Sequence, residues 1–173
     1  MTPDAIEEKL AQWARERPDL DPSGMEIVSR IFMLSNQLKR AATRRLGKHG
    51  LNLWAYDVLA TLRRQGPPFQ LSPTELSRAT MLSPGAMTNR LDRLEDIGLI
   101  ERHPDPDDRR ALLIALTPAG REMADRAVET RFDEAAKATA CLTTDEHAQL
   151  STLLHKLLTR RNPKAKKPSG TAY

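Results

Sequence analysis

The chain has 173 residues, 39% hydrophobic, 29% charged and only 4% aromatic, which favours a mostly helical domain with flanking helices over an all-β sandwich. Lys and Arg outnumber Asp and Glu by 27 to 23, and the resulting charge of +4 permits polyanion binding without requiring it. No run approaches the roughly 18 to 20 apolar residues of a membrane span, no signal peptide is evident, and the single Cys141 can close no internal disulfide, so the expected compartment is the cytoplasm.

The spacing of Ile6, Leu10 and Trp13 predicts a short amphipathic helix over residues 4–17, ended by Pro18 in the turn Arg17-Pro18-Asp19-Leu20-Asp21. A longer helix is expected over residues 24–49, with Ile27, Val28, Ile31, Phe32, Leu34 and Leu38 on its apolar side and a basic second half. Gly50 terminates it. Asn52 to Gln65 carries Leu53, Val58, Leu59 and Leu62 at helical spacing and is stopped by Gly66-Pro67-Pro68. Ser72-Pro73-Thr74-Glu75 reads as a capping box with Pro at the first helical position, opening a helix of barely two turns. Ser83-Pro84 repeats the start signal, and the helix that follows runs to Gly98. Leu99 to Arg102 and Ala111 to Leu116 then read as two strands joined by a tip at residues 104–110. Thr117-Pro118 starts a long helix to about Cys141, and Thr143 with Glu146 forms a second capping box. The last helix bears Leu150, Leu153, Leu154, Leu157 and Leu158 as one apolar stripe, and residues 162–173 make a basic tail expected to be disordered.

Two short helices joined tightly and followed at once by a hairpin make a helix-turn-helix with a β-wing. On a wheel of 100 degrees per residue, Met87, Leu91 and Leu94 cluster inward, which turns Gly85, Asn89, Asp92 and Asp96 outward, flanked by Thr88 and Arg93. Asn89 is suited to bidentate pairing with adenine, Thr88 to a base or a thymine methyl, and Arg93 to guanine or phosphate. Gly85 lets the helix start approach closely, and Asp92 and Asp96 keep the second half out of a deep groove. Ser72, Thr74, Ser83 and Ala86 complete the expected DNA-contacting set at the two helix starts. At the wing tip Asp108 is expected to orient Arg110, beside Arg109, toward a narrow minor groove.

The stretch Leu82 to Glu95, then Gly98 to Arg102, Asp107 to Arg110 and Leu116 to Gly120, resembles the MarR family of bacterial transcription regulators over nearly the whole chain. The resemblance implies a winged helix-turn-helix at residues 51–117, inserted between N-terminal helices (1–50) and C-terminal helices (118–161) that intertwine into a homodimer, a role the leucine stripe fits. The extra N-terminal helix with Trp13 is similar to a urate-responsive subfamily. That likeness implies an effector pocket of Trp13, Asp57, Arg90 and Arg102 for a small anion, urate or a related purine first and a citrate- or aconitate-type acid next. The residues are compatible with it: Arg90 stands at the edge of the inward face, and Asp57 lies within an apolar run, where a carboxylate normally needs an Arg partner, Arg90 or Arg102. A planar anion could stack on Trp13 and accept hydrogen bonds from two guanidinium forks.

No nucleophile motif, phosphate loop or His cluster of metal-binding spacing is present, so neither an enzyme nor a cofactor is expected. The function read from the sequence is a ligand-responsive repressor of a pseudo-palindromic operator. The alternative is an architectural DNA-binding protein of the same fold without a physiological ligand.

Overall fold

The computed structural model describes residues 5–108 and 111–161, which form helices α1 (Ala5–Glu16), α2 (Ser23–Gly47), α3 (Leu53–Arg63), α4 (Pro73–Thr80), α5 (Pro84–Asp96), α6 (Pro118–Thr139) and α7 (Thr144–Arg161), with strands β1 (Gln70–Leu71), β2 (Ile100–Pro104) and β3 (Leu112–Leu116). Local chemistry sets most of the boundaries. Asn52 accepts a hydrogen bond from the Ala55 amide to cap α3, and Ser83 caps α5 through the Ala86 amide. Reciprocal capping boxes open α4 (Ser72 with Glu75) and α7 (Thr143 with Glu146). Gly98, at φ 70°, ends α5 in the left-handed conformation that glycine adopts without steric cost.

The three strands form an antiparallel sheet in the order β1-β3-β2, with Ile100 opposite Leu116, Pro104 opposite Leu112, and Gln70 opposite Ala115. The sequence predicts two strands there, and β1 is the addition: Gln70 and Leu71 are extended because β3 offers them a free edge. The core gathers Leu46, Val58, Leu59 and Leu62 with Leu76, Met87, Leu91, Leu94, Ile100 and Ile114, all buried. Truncating any of its larger side chains to Ala costs roughly 2–5 kcal/mol. Burial of Met87, Leu91 and Leu94 fixes the rotation of α5 and therefore which of its residues meet solvent.

The chain divides into two compact units at Glu134, within α6. In the first unit, α6 is tied to α3 by Arg63–Asp125 at 2.6 Å, to α2 by Arg45–Asp133 at 3.6 Å, and to the turn after α2 by a hydrogen bond between His49 and Thr130. Its start is welded to the end of α5. The Thr117 hydroxyl donates to the Gly98 carbonyl, and a Cβ on Gly120 would stand 1.8 Å from the Leu99 carbonyl oxygen. In the second unit, α7 carries Leu150, Leu153, Leu154, Leu157 and Leu158 exposed to solvent.

Candidate DNA-reading face and effector site

The start of α5 carries the residues expected to read bases. Gly85, Thr88, Asn89 and Arg93 are exposed, Ala86 is half-buried at the first turn, and Thr88 donates its hydroxyl to the Pro84 carbonyl. Among the described residues, neither Asn89 nor Arg93 has a hydrogen bond or ion pair, so both heads can reach outward without breaking anything. Ser72 and Ser83 hold the N-termini of α4 and α5 by capping, and Thr74 is exposed one position into α4. Helix N-termini carry unpaired amides and a positive dipole end, the chemistry that meets a phosphate.

The second half of α5 is organised differently from its first. Arg102 of β2 donates to Asp92 at 2.6 Å and to Glu95, so one guanidinium bridges strand and helix and offsets one of the two negative charges it binds on this half. Asp96 stays exposed. The wing tip closes through the Asp105 amide to the Ala111 carbonyl, the Ala111 amide to the Asp108 carbonyl, and the Asp107 amide to the Asp105 carboxylate. Arg109 and Arg110, expected as minor-groove contacts, lie outside the described residues.

The four residues expected to share an effector pocket fall in three places. Trp13 is 62% exposed and lines a cavity of about 770 Å³ formed by α1 and α2 with Leu10, Met25, Phe32 and Met33; Asp57, Arg90 and Arg102 are absent from its walls. Arg102 is engaged with Asp92 and Glu95 rather than with Asp57. The physical reason is proximity: β2 follows α5 immediately and lies against the two carboxylates that α5 presents at spacing i, i+3.

Asp57 and Arg90 lie near enough for their charges to interact, without a hydrogen bond or ion pair between them. Asp57 is not sealed in the core but stands at its edge, exposed, with enough protein around it that desolvation pushes its carboxyl above the usual value against the attraction of Arg131, Arg90 and Arg64. The Arg90 guanidinium lies 5.5 Å from the centre of the Trp54 ring, and that of Arg131 5.8 Å from the Tyr56 ring. Burial raises the Tyr56 hydroxyl, opposed by Arg131. Arg131 also pairs with Glu134, which is 7% exposed; Arg131 Nε and Glu134 Oε1 are buried with no hydrogen-bond partner. Arg131 escapes sequence reasoning because only the fold sets α6 beside α3, whereas Arg64, two turns after Asp57 at the end of α3, was within reach of the helical period. The one signal for Arg131 was the counter-charge that a carboxylate among apolar neighbours demands.

Residues 49–111 match the model of the MarR family. The transcriptional regulator PecS of Dickeya dadantii is 34% identical over 149 residues, which cover 86% of this chain and 90% of that protein. The multiple antibiotic resistance protein MarR of Salmonella typhimurium is 33% identical over 129 residues, covering 74% and 88%. Among solved structures, a MarR variant from E. coli in complex with operator DNA aligns with a TM-score of 0.68 at 28% identity, covering 84% of this chain and 97% of that one. With PecS related over most of both chains and the helix-turn-helix and wing in place, the protein belongs to the MarR family of DNA-binding transcriptional regulators.

Proposed function

We propose that this protein is a cytoplasmic repressor that binds a pseudo-palindromic operator as a homodimer and is released by a small anion. The winged domain, residues 51–117, reads DNA, and the helices on either side of it in sequence, residues 1–50 and 118–161, hold the second copy. The observation that carries the reading is the first half of α5: a capped helix start with Thr88, Asn89 and Arg93 exposed, the side chains of Asn89 and Arg93 without a hydrogen-bond or ion-pair partner among the described residues, on a helix whose opposite face is locked into the core. Thr74 and the caps of α4 and α5 face phosphate, and Arg109 and Arg110, oriented by Asp108, extend the contact into the minor groove.

The effector side of the proposal starts from Asp57 and Arg90, the two members of the expected pocket whose charges interact. Arg90 sits on α5 itself, so an anion drawn to it acts on the helix that reads DNA. Trp13 supplies an aromatic platform, and Arg102 a second donor, only once each leaves its place in this structure, Trp13 the α1–α2 cavity and Arg102 its ties to Asp92 and Glu95. A urate-like purine fits this set best, a citrate- or aconitate-type acid next.

The test is a mobility shift on the pseudo-palindrome with half-sites about 10 base pairs apart. Asn89→Ala is expected to weaken operator binding by about 1–3 kcal/mol while leaving non-specific DNA binding unchanged. Equal operator binding by wild type and Asn89→Ala sinks the reading of α5. A footprint that spreads without sequence preference, indifferent to urate and citrate, shows an architectural protein instead.

A further inference from the structure

We propose that the effector's anionic edge is held by a guanidinium pair, Arg90 of α5 and Arg131 of α6, each seated on an aromatic ring of α3, with Asp57 facing both. The inference rests on the anion-release reading and assigns its site a residue, Arg131, outside the expected set.

Three observations converge on it. Arg90 stacks on Trp54 and Arg131 on Tyr56, so α3 presents two cation-carrying rings either side of the Asp57 position. Neither guanidinium is bonded to Asp57, although both attract its carboxylate. Arg90 has no ion pair among the described residues. Arg131 gives one arm to Glu134 and leaves Nε buried without a partner, as Glu134 leaves Oε1. Buried polar atoms without partners are uncommon and costly, and a native structure that keeps them does so characteristically at binding sites.

The chemistry of the set also selects among anions. Two planar forks present paired N–H donors that match a carboxylate or the O–C–N edge of an ionised heterocycle. Asp57, beside them, is an acceptor and a negative charge, so it favours a planar anion that brings its own N–H donors and repels a compact polycarboxylate. The preferred class is therefore a monoanionic N–H-bearing heteroaromatic of purine type. Once bound, such a molecule would join α5 to α6 across α3 and act on the recognition helix through Arg90.

Calorimetric titration with urate and with citrate, on wild type, Arg131→Lys and the double variant Arg131→Gln/Glu134→Gln, tests this. The double variant removes both members of the buried pair, so no unpaired charge is left behind. Operator binding without urate checks that α5 is in place. Wild type is expected to bind urate more tightly than citrate, the double variant to lose at least about tenfold in urate affinity, and Arg131→Lys, which keeps the charge but not the fork, to lose several-fold. Wild-type urate affinity in Arg131→Lys and in the double variant overturns the assignment of Arg131 and leaves anion release standing; if the double variant does not fold, Arg131→Lys decides alone. Tighter binding of citrate than urate overturns the role of Asp57. Binding of neither anion by wild type overturns anion release and this inference together.

Discussion

Met81 shows how much one backbone angle can matter. It ends α4 at φ 56°, left-handed and 92% exposed, where its amide bonds back to Ser77 and Arg78. An L-residue in this conformation costs about 1 kcal/mol that glycine avoids. Met81→Gly is therefore expected to stabilise the protein by about 0.5–1 kcal/mol, raising the midpoint of thermal unfolding by roughly 1–4 °C. Asp57 is a liability of another kind. Because desolvation holds its folded carboxyl above the ordinary value, the protonated form is favoured in the folded chain; that stability is present below the ordinary carboxylate range and is lost as pH rises through the folded value. Asp57→Asn should raise the melting temperature at neutral pH, with the gain shrinking as the solution is acidified, as melting curves across pH 3–7 would show. A stabilising loss of a charged group marks a residue kept for binding rather than for folding. The sequence displays the need of Asp57 for counter-charge but not its source, since Arg131 lies 74 positions away and only the packing of α6 beside α3 brings it near.

Helices were the most legible elements, because their ends are written in adjacent residues: Ser72 with Glu75, Thr143 with Glu146, and Pro at the first position of α4, α5 and α6. The inward face of α5 followed from three apolar residues at helical spacing and is buried as expected. The strand β1 was not legible. Two residues carry no period, and Pro67-Pro68 just before them reads only as a stop; the strand exists through its pairing with β3. The bridge from β2 to α5 was hidden for a similar reason, since Arg102 and its partners belong to different elements. This latch yields a prediction at its own scale. Partly exposed ion pairs contribute little to stability, so Arg102→Ala is expected to change unfolding by less than about 1 kcal/mol. Operator binding should suffer more, because Asp92 and Glu95 would then face phosphates without a neutralising partner. Adding Asp92→Asn and Glu95→Gln should restore the affinity, measured in mobility shifts at several salt concentrations.

Across the whole molecule, unusually much apolar surface meets solvent. Ile27, Ile31 and Phe32 on α2 and the leucines of α7 are exposed, and contiguous patches of this kind on a single chain mark interaction surfaces. If a second copy covers α7, Leu154→Lys/Leu157→Lys shifts the sedimenting species to a monomer and abolishes binding to the paired half-sites, while a dimer that persists through both substitutions excludes this helix from the interface. The junction of α5 with α6 has a consequence of another order, for heredity rather than for mechanics. Gly120 meets the Leu99 backbone so closely that no side chain of any kind fits. Third-base changes in a glycine codon are silent, but every change at its first or second base that leaves a residue brings at least a Cβ, so no missense allele one base away is neutral at this position. Spontaneous mutants that lose regulation should recur at this buried joint, where no base and no effector is touched.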